Sequence, residues 1–229
     1  MRTVKSIIAT TTLLLAFGLP ASAQIGELRQ NFAVGINGGA NYSNVSFQPT
    51  IKQNGLIGIT GGVTARYISE KYFAMICGVQ VELNYSQRGW DEKFDELGDD
   101  RAYSREMNYM EIPFLAHLAF GKDRGAQFFL NLGPQIGFML NDKEKRSGTW
   151  SETQLNQEQY GKSVQNKFDY GIVGGAGLEI RTKAGNFLLK GRYYFGLADF
   201  YNSTKKDYFS RSAHTTISAK ISYLFDIKK

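Results

Sequence analysis

A single cysteine, two histidines and four prolines are all that this 229-residue chain holds of those residue types. One cysteine excludes a disulfide framework and any cysteine-rich zinc site. Two histidines leave little for a histidine-based metal or catalytic centre. After residue 24 there is no helical periodicity of useful length, and the mean hydropathy is too low for a bundle of membrane helices. No basic run interleaved with aromatics points to nucleic acid, which is not an expected partner. Apolar residues make up 42% of the chain, which argues against disorder. The 25 glycines and 14% aromatics lean toward many short strands.

The first 24 residues have their own logic. Arg2 and Lys5 precede a mostly apolar stretch from Ile7 to Leu19, Pro20 breaks it, and Ala21-Ser22-Ala23 forms an A-x-A cleavage site. This is the pattern of a secretory signal peptide over residues 1–23, with an apolar stretch too short to anchor in a bilayer. Residues 24–229 are the expected β-barrel domain. Cleavage removes two cations and takes the formal net charge from +6 to +4.

Alternation of apolar and polar residues fills the rest. Eight segments carry it: Phe32–Asn41, Leu56–Tyr67, Phe73–Tyr85, Tyr109–Phe120, Phe128–Leu140, Phe168–Arg181, Phe187–Phe200 and His214–Phe225. Each runs about 10–14 residues, against ~9–11 for a tilted membrane strand and ~5–6 for strands of a soluble sandwich. Short connections at 68–72, 121–127 and 182–186 alternate with long polar ones at 42–55, 86–108, 141–167 and 201–213. The expected fold is therefore all-β: an eight-stranded antiparallel transmembrane β-barrel with short periplasmic turns, long extracellular loops and both termini periplasmic. A soluble lipocalin-like barrel shows the same alternation with its faces exchanged. Strand length, strand-end aromatics such as Tyr67, Tyr85 and Phe128, and the leader favour the membrane.

One face of the eight segments carries no charge. The other collects Arg66, Glu82, Glu111, Asp169, Glu179, Arg181, Lys190, Arg192 and Lys220. An eight-stranded barrel is only just wide enough for side chains to fill, and a lone buried ion costs several kcal/mol. The expectation is a plugged lumen crossed by an ion-pair network, with inward glycines such as Gly171 and Gly175 leaving room for larger side chains.

The first segment ends in Gly38-Gly39-Ala40-Asn41-Tyr42-Ser43, the fourth contains Tyr109-Met110-Glu111-Ile112-Pro113-Phe114-Leu115, and the last ends in Ile221-Ser222-Tyr223-Leu224-Phe225. With the leader, these resemble the PorT-like outer-membrane β-barrel family, often labelled "porin family". The resemblance implies an eight-stranded barrel in the outer membrane of Gram-negative bacteria, with no shared catalytic residues. One relative type is linked to protein secretion. This chain departs from the usual barrel ending, because Asp226 to Lys229 follow the terminal aromatic.

Other candidates resolve blandly. Chain direction puts His117 near the periplasmic end and His214 near the extracellular rim, so no shared catalytic site and no enzyme is expected. Gly161-Lys162-Ser163 lacks the first P-loop glycine, since position 156 is Asn. Asp91, Asp95 and Asp99 lie in an acidic stretch without EF-hand spacing, so a solvated loop is expected rather than a calcium site. Cys77 falls on the apolar face as a small apolar residue. Pro113 is expected at a bend or bulge, and the long loop 141–167, with Trp150 and Tyr160, is expected to be mobile. No cofactor is expected. Expected partners are outer-membrane lipid and lipopolysaccharide, and a protein met through loops 86–108 and 141–167. The expected role is structural or interaction-based. A narrow small-solute channel is the second reading, and a secretion-associated accessory barrel the third.

Overall fold

The computed structural model describes residues 27–94, 100–122, 125–152 and 156–228. The leader at 1–23 lies outside the described residues. Eight strands follow in order: β1 (Glu27–Gln48), β2 (Gln53–Tyr72), β3 (Met75–Glu92), β4 (Ala102–Gly121), β5 (Gly125–Ser147), β6 (Phe168–Arg181), β7 (Asn186–Gly196) and β8 (Arg211–Lys228). Each pairs antiparallel with its sequence neighbour, and β1 pairs with β8, so the sheet closes on itself without an edge. The start of β1, the end of β8 and the β2–β3, β4–β5 and β6–β7 junctions share what we name the terminal end. Connections 49–52, 93–101, 148–167 and 197–210 share the far end.

Alternation dictates the two faces. In β7 every second residue is buried, from Asn186 through Leu188, Lys190, Arg192 and Tyr194 to Gly196. The residues between them, Phe187, Leu189, Tyr193 and Phe195, are exposed. The same holds around the ring, giving an apolar outer belt that includes Ile36, Ile59, Leu132 and Ile221. That belt is the surface a bilayer selects. Leu189, 59% exposed in the middle of β7, tests it. Leu189→Arg is expected to lower stability by about 2–4 kcal/mol in urea titrations from phospholipid vesicles, and Leu197→Arg, past the far end of β7, by about 0–1 kcal/mol.

Several strands outrun the expected segments and reach 20–23 residues. Most of 86–108, and the start of 141–167, is strand rather than loop. The cause is that the inward phase continues past the apolar belt: in β3 it runs Glu82, Asn84, Ser86, Arg88, Trp90 without a break. Only the outward residues turn polar, as a wall that leaves the hydrocarbon should. In β5 the register shifts at Leu140, between the pairs Tyr109↔Met139 and Asn108↔Asn141. This one-residue bulge flips the phase and turns Asp142 and Glu144 inward. The wall is lowest at β6 and β7. There Asn166 N bonds Phe200 O (3.0 Å), tying connection 148–167 to 197–210, and Leu197 N bonds Tyr170 O of β6 (2.9 Å).

Three local expectations change. Phe73 occupies the β2–β3 turn with φ of 51° instead of opening a strand. Pro113 stays in the ladder, and the pairs on either side of it keep one register, so there is no bulge there. Gly171 and Gly175 do leave seats: a Cβ on either would come within 2.8 Å of Tyr194 or Arg192, and also within 2.4 Å of the β7 backbone.

Candidate functional site

The lumen is filled in layers. Nearest the terminal end, Ala33, Ile68, Ile76, Ala119, Phe129, Leu188 and Leu224 form a buried apolar plug. Above it Arg66 meets Glu179 in a bidentate pair, at 2.5 and 2.8 Å. Arg181 stands 3.7 Å from the same carboxylate, with its side chain 11% exposed at the terminal mouth. His117 bonds Asn131 at 2.8 Å and lies against Phe129.

The next layer centres on Glu82. Lys190 reaches it at 2.6 Å and Arg192 at 2.6 and 2.7 Å, while Gln80 and Asn84 donate to its two oxygens at 2.7 and 2.9 Å. A third layer centres on Arg88, whose guanidinium pairs with Glu111 and, at 2.7 Å, with Asp169. Tyr194 donates its hydroxyl to Asp169 at 2.8 Å, and its ring centroid lies 4.3 Å from the Arg88 guanidinium. Lys220 is buried beside these layers and, among the described residues, makes no hydrogen bond or contact ion pair.

A cap of aromatic side chains closes the far end. Phe47, Trp90, Tyr103, Tyr160, Phe200, Tyr201 and Phe209 pack with Val45, Met107, Tyr109 and Met139 into one buried cluster. Trp90 meets Phe47 edge-on at 5.0 Å and stacks on Phe200 at 5.9 Å. Arg105 threads the cap. It pairs with Asp142 and Glu144 and donates to the Tyr201 hydroxyl (2.8 Å) and the Lys162 carbonyl (2.6 Å). Tyr160 donates to Glu92 at 2.8 Å. Burial and that bond push the Tyr160 phenol up, so it stays protonated through the neutral range. The expected mobile loop is thus, in its described part, pinned down through Tyr160 and Trp150.

Of the nine charges assigned inward from alternation, the structure buries all except Arg181, which sits at the mouth. It brings together Arg66 with Glu179, Glu82 with Lys190 and Arg192, and Glu111 with Asp169 through Arg88. Arg88 and Arg105 belong to the site and were missed because both lie in the stretch 86–108. Their parity with Glu82 and Glu111 was the signal that could have found them. His214, near the far end of β8, is a lumen residue: it lies under the cap, stacked on Phe200 at 5.0 Å and bonded to Tyr109 at 3.1 Å. Asp91 sits in β3, while Asp95 and Asp99 lie outside the described residues. Among the described residues no group of three His, Cys, Asp or Glu side chains could hold a metal. Tyr109, Glu111 and Pro113, the core of the fourth-strand motif, all point inward.

A closed eight-stranded ring, apolar outside and ionic inside, defines a transmembrane β-barrel. Residues 22–202 match the family model described as "Outer membrane protein beta-barrel domain", and the chain belongs to that family. It is an outer-membrane protein. No curated protein matches it. Among solved structures, outer membrane protein OprG from Pseudomonas aeruginosa is 11% identical, with 87% of this chain and 98% of that one covered at a TM-score of 0.49. Ail of Yersinia pestis, in complex with the heparin analogue sucrose octasulfate, is 16% identical, with 86% and 100% covered at 0.39. Neisserial surface protein A is 12% identical, with 85% and 97% covered at 0.41.

Proposed function

We propose that this barrel is a closed, non-conducting and non-enzymatic protein of the outer membrane that works as a structural or interaction element through its far end. The observation that carries this is the layered lumen. Between the terminal plug and the aromatic cap, the cavity beside Arg88, Glu111 and Lys220 has a volume of about 10 Å³, room for about one water. In this reading residues 1–23 are the export leader, the terminal end faces the periplasm and the far end faces out. Partner contacts then fall to connections 93–101 and 148–167, not to the strands on either side of them.

Lipid is the second partner class. A groove of about 510 Å³ at the low part of the wall sets apolar Phe168, Tyr170 and Leu197 beside polar Asn166, Lys167 and Ser203. That order of surfaces suits an amphiphile such as lipopolysaccharide. The narrow-channel reading requires the Glu82 and Arg88 pairs to part and the cap to lift. The secretion-accessory reading rests on the resemblance of Tyr109–Leu115 to PorT-like barrels. It is the third, because Tyr109 and Glu111 already have structural partners within the lumen. Planar-bilayer recordings of the purified protein decide first: no steady conductance steps are expected, and large steady steps would overturn the closed reading.

A further inference from the structure

The layers of the lumen below the cap are not neutral. Below the cap, and so apart from Arg105 with its partners Asp142 and Glu144, the buried ions among the described residues are five cations (Arg66, Arg88, Lys190, Arg192 and Lys220) and four carboxylates (Glu82, Glu111, Asp169 and Glu179). Every carboxylate is engaged: Glu179 by Arg66, Glu82 by Lys190 and Arg192, Glu111 and Asp169 by Arg88. Among the described residues Lys220 has no carboxylate in ion-pair contact, Glu82 and Glu111 acting on it only from longer range, and its cross-strand neighbour is Lys190, a like charge. Its side chain lines the small cavity together with Arg88, Arg192, Glu111, Thr216 and Ser218. Four further polar atoms of that lining are buried without a hydrogen-bond partner: the Nε atoms of Arg88 and Arg192, the Oγ1 of Thr216, and the Oε1 of Glu111, which faces the Arg88 guanidinium as an ion pair. The cavity thus presents donors and excess positive charge, and its single acid is already paired with Arg88.

We propose that this cavity binds one monovalent anion of halide size, chloride in ordinary buffers, as counter-ion to Lys220. A water molecule could satisfy the donors but would leave a buried ammonium without a contact counter-ion, which is costly. The volume excludes sulfate, phosphate and carboxylate ligands. An anion that binds the folded barrel alone raises its stability with the logarithm of anion concentration.

Two measurements test this. In crystals soaked with bromide, an anomalous map is expected to show one peak within hydrogen-bond reach of Lys220 Nζ and Thr216 Oγ1. In thermal unfolding at constant ionic strength, exchanging gluconate for chloride is expected to raise Tm steadily with log chloride, and this dependence should vanish in Lys220→Met. Thr216→Val keeps every charge and removes one donor, so it should need about tenfold more chloride for the same Tm gain. It also serves if Lys220→Met does not fold. An empty or water-filled cavity without anomalous signal overturns the proposal, as does a chloride dependence that persists unchanged in both variants.

Discussion

Arg88→Met is expected to lower the stability of the folded barrel by about 3–5 kcal/mol, because it takes from two buried carboxylates the cation in contact with them. Glu111 and Asp169 are both nearly inaccessible, and Arg88 is the cation paired to each. Methionine keeps much of the side-chain volume, so the loss measures charge and not a cavity. The stack of the guanidinium on the Tyr194 ring is lost as well. Urea titration in vesicles should show a lower midpoint with an unchanged m-value. The partner arm of the cycle is Asp169→Asn, which removes one of the stranded charges. The double variant should recover part of the loss, since groups sharing one network are not additive. Equal losses for Arg88→Met alone and in the double variant would show that Asp169 draws no stability from Arg88.

Why Arg88 escaped the sequence while Glu82 did not says where alternation stops being readable. Inside the bilayer the outward residue must be apolar, so Phe73 to Tyr85 shows two unlike faces, and parity alone assigns Glu82 inward. Beyond Tyr85 the outward positions hold polar Gln87 and Asp91 and side-chain-less Gly89, the apolar contrast disappears, and a strand looks like a loop. All eight strands were therefore visible, and the far-end length of several was not. Pairing was hidden for a different reason. Arg66 and Glu179 are 113 residues apart, and which charges meet across the lumen depends on the stagger of the closed ring, not on spacing along the chain. The bulge at Leu140 hid a further pair, because it reverses the parity that would have shown Asp142 and Glu144 facing Arg105. The cap was the least legible part. Phe200, Tyr201 and Phe209 lie at or past the end of β7, where apolar residues have no period to betray the face they cover.

Trp90→Ala tests whether that cap is an independent layer. Trp90 is fully buried and touches Phe47, Tyr103 and Phe200, which hold connections from different parts of the ring. Truncation to alanine should cost about 3–5 kcal/mol. Its indole nitrogen is buried without a partner, so Trp90→Phe, which keeps a ring and drops that donor, should cost much less. The sequence holds two tryptophans, so emission in Trp90→Ala reports Trp150 alone. Trp150 packs at the edge of the cap against Phe94 and Tyr160, and its emission should shift to the red as water enters. Limited proteolysis should then cut within 148–167 and 197–210 in the variant before it does in the parent protein. Conductance, however, should stay absent, because the Arg88 and Glu82 layers and the terminal plug lie beneath the cap and do not use Trp90. Steady current through Trp90→Ala would place the seal in the cap and make the buried ions the lining of a pore.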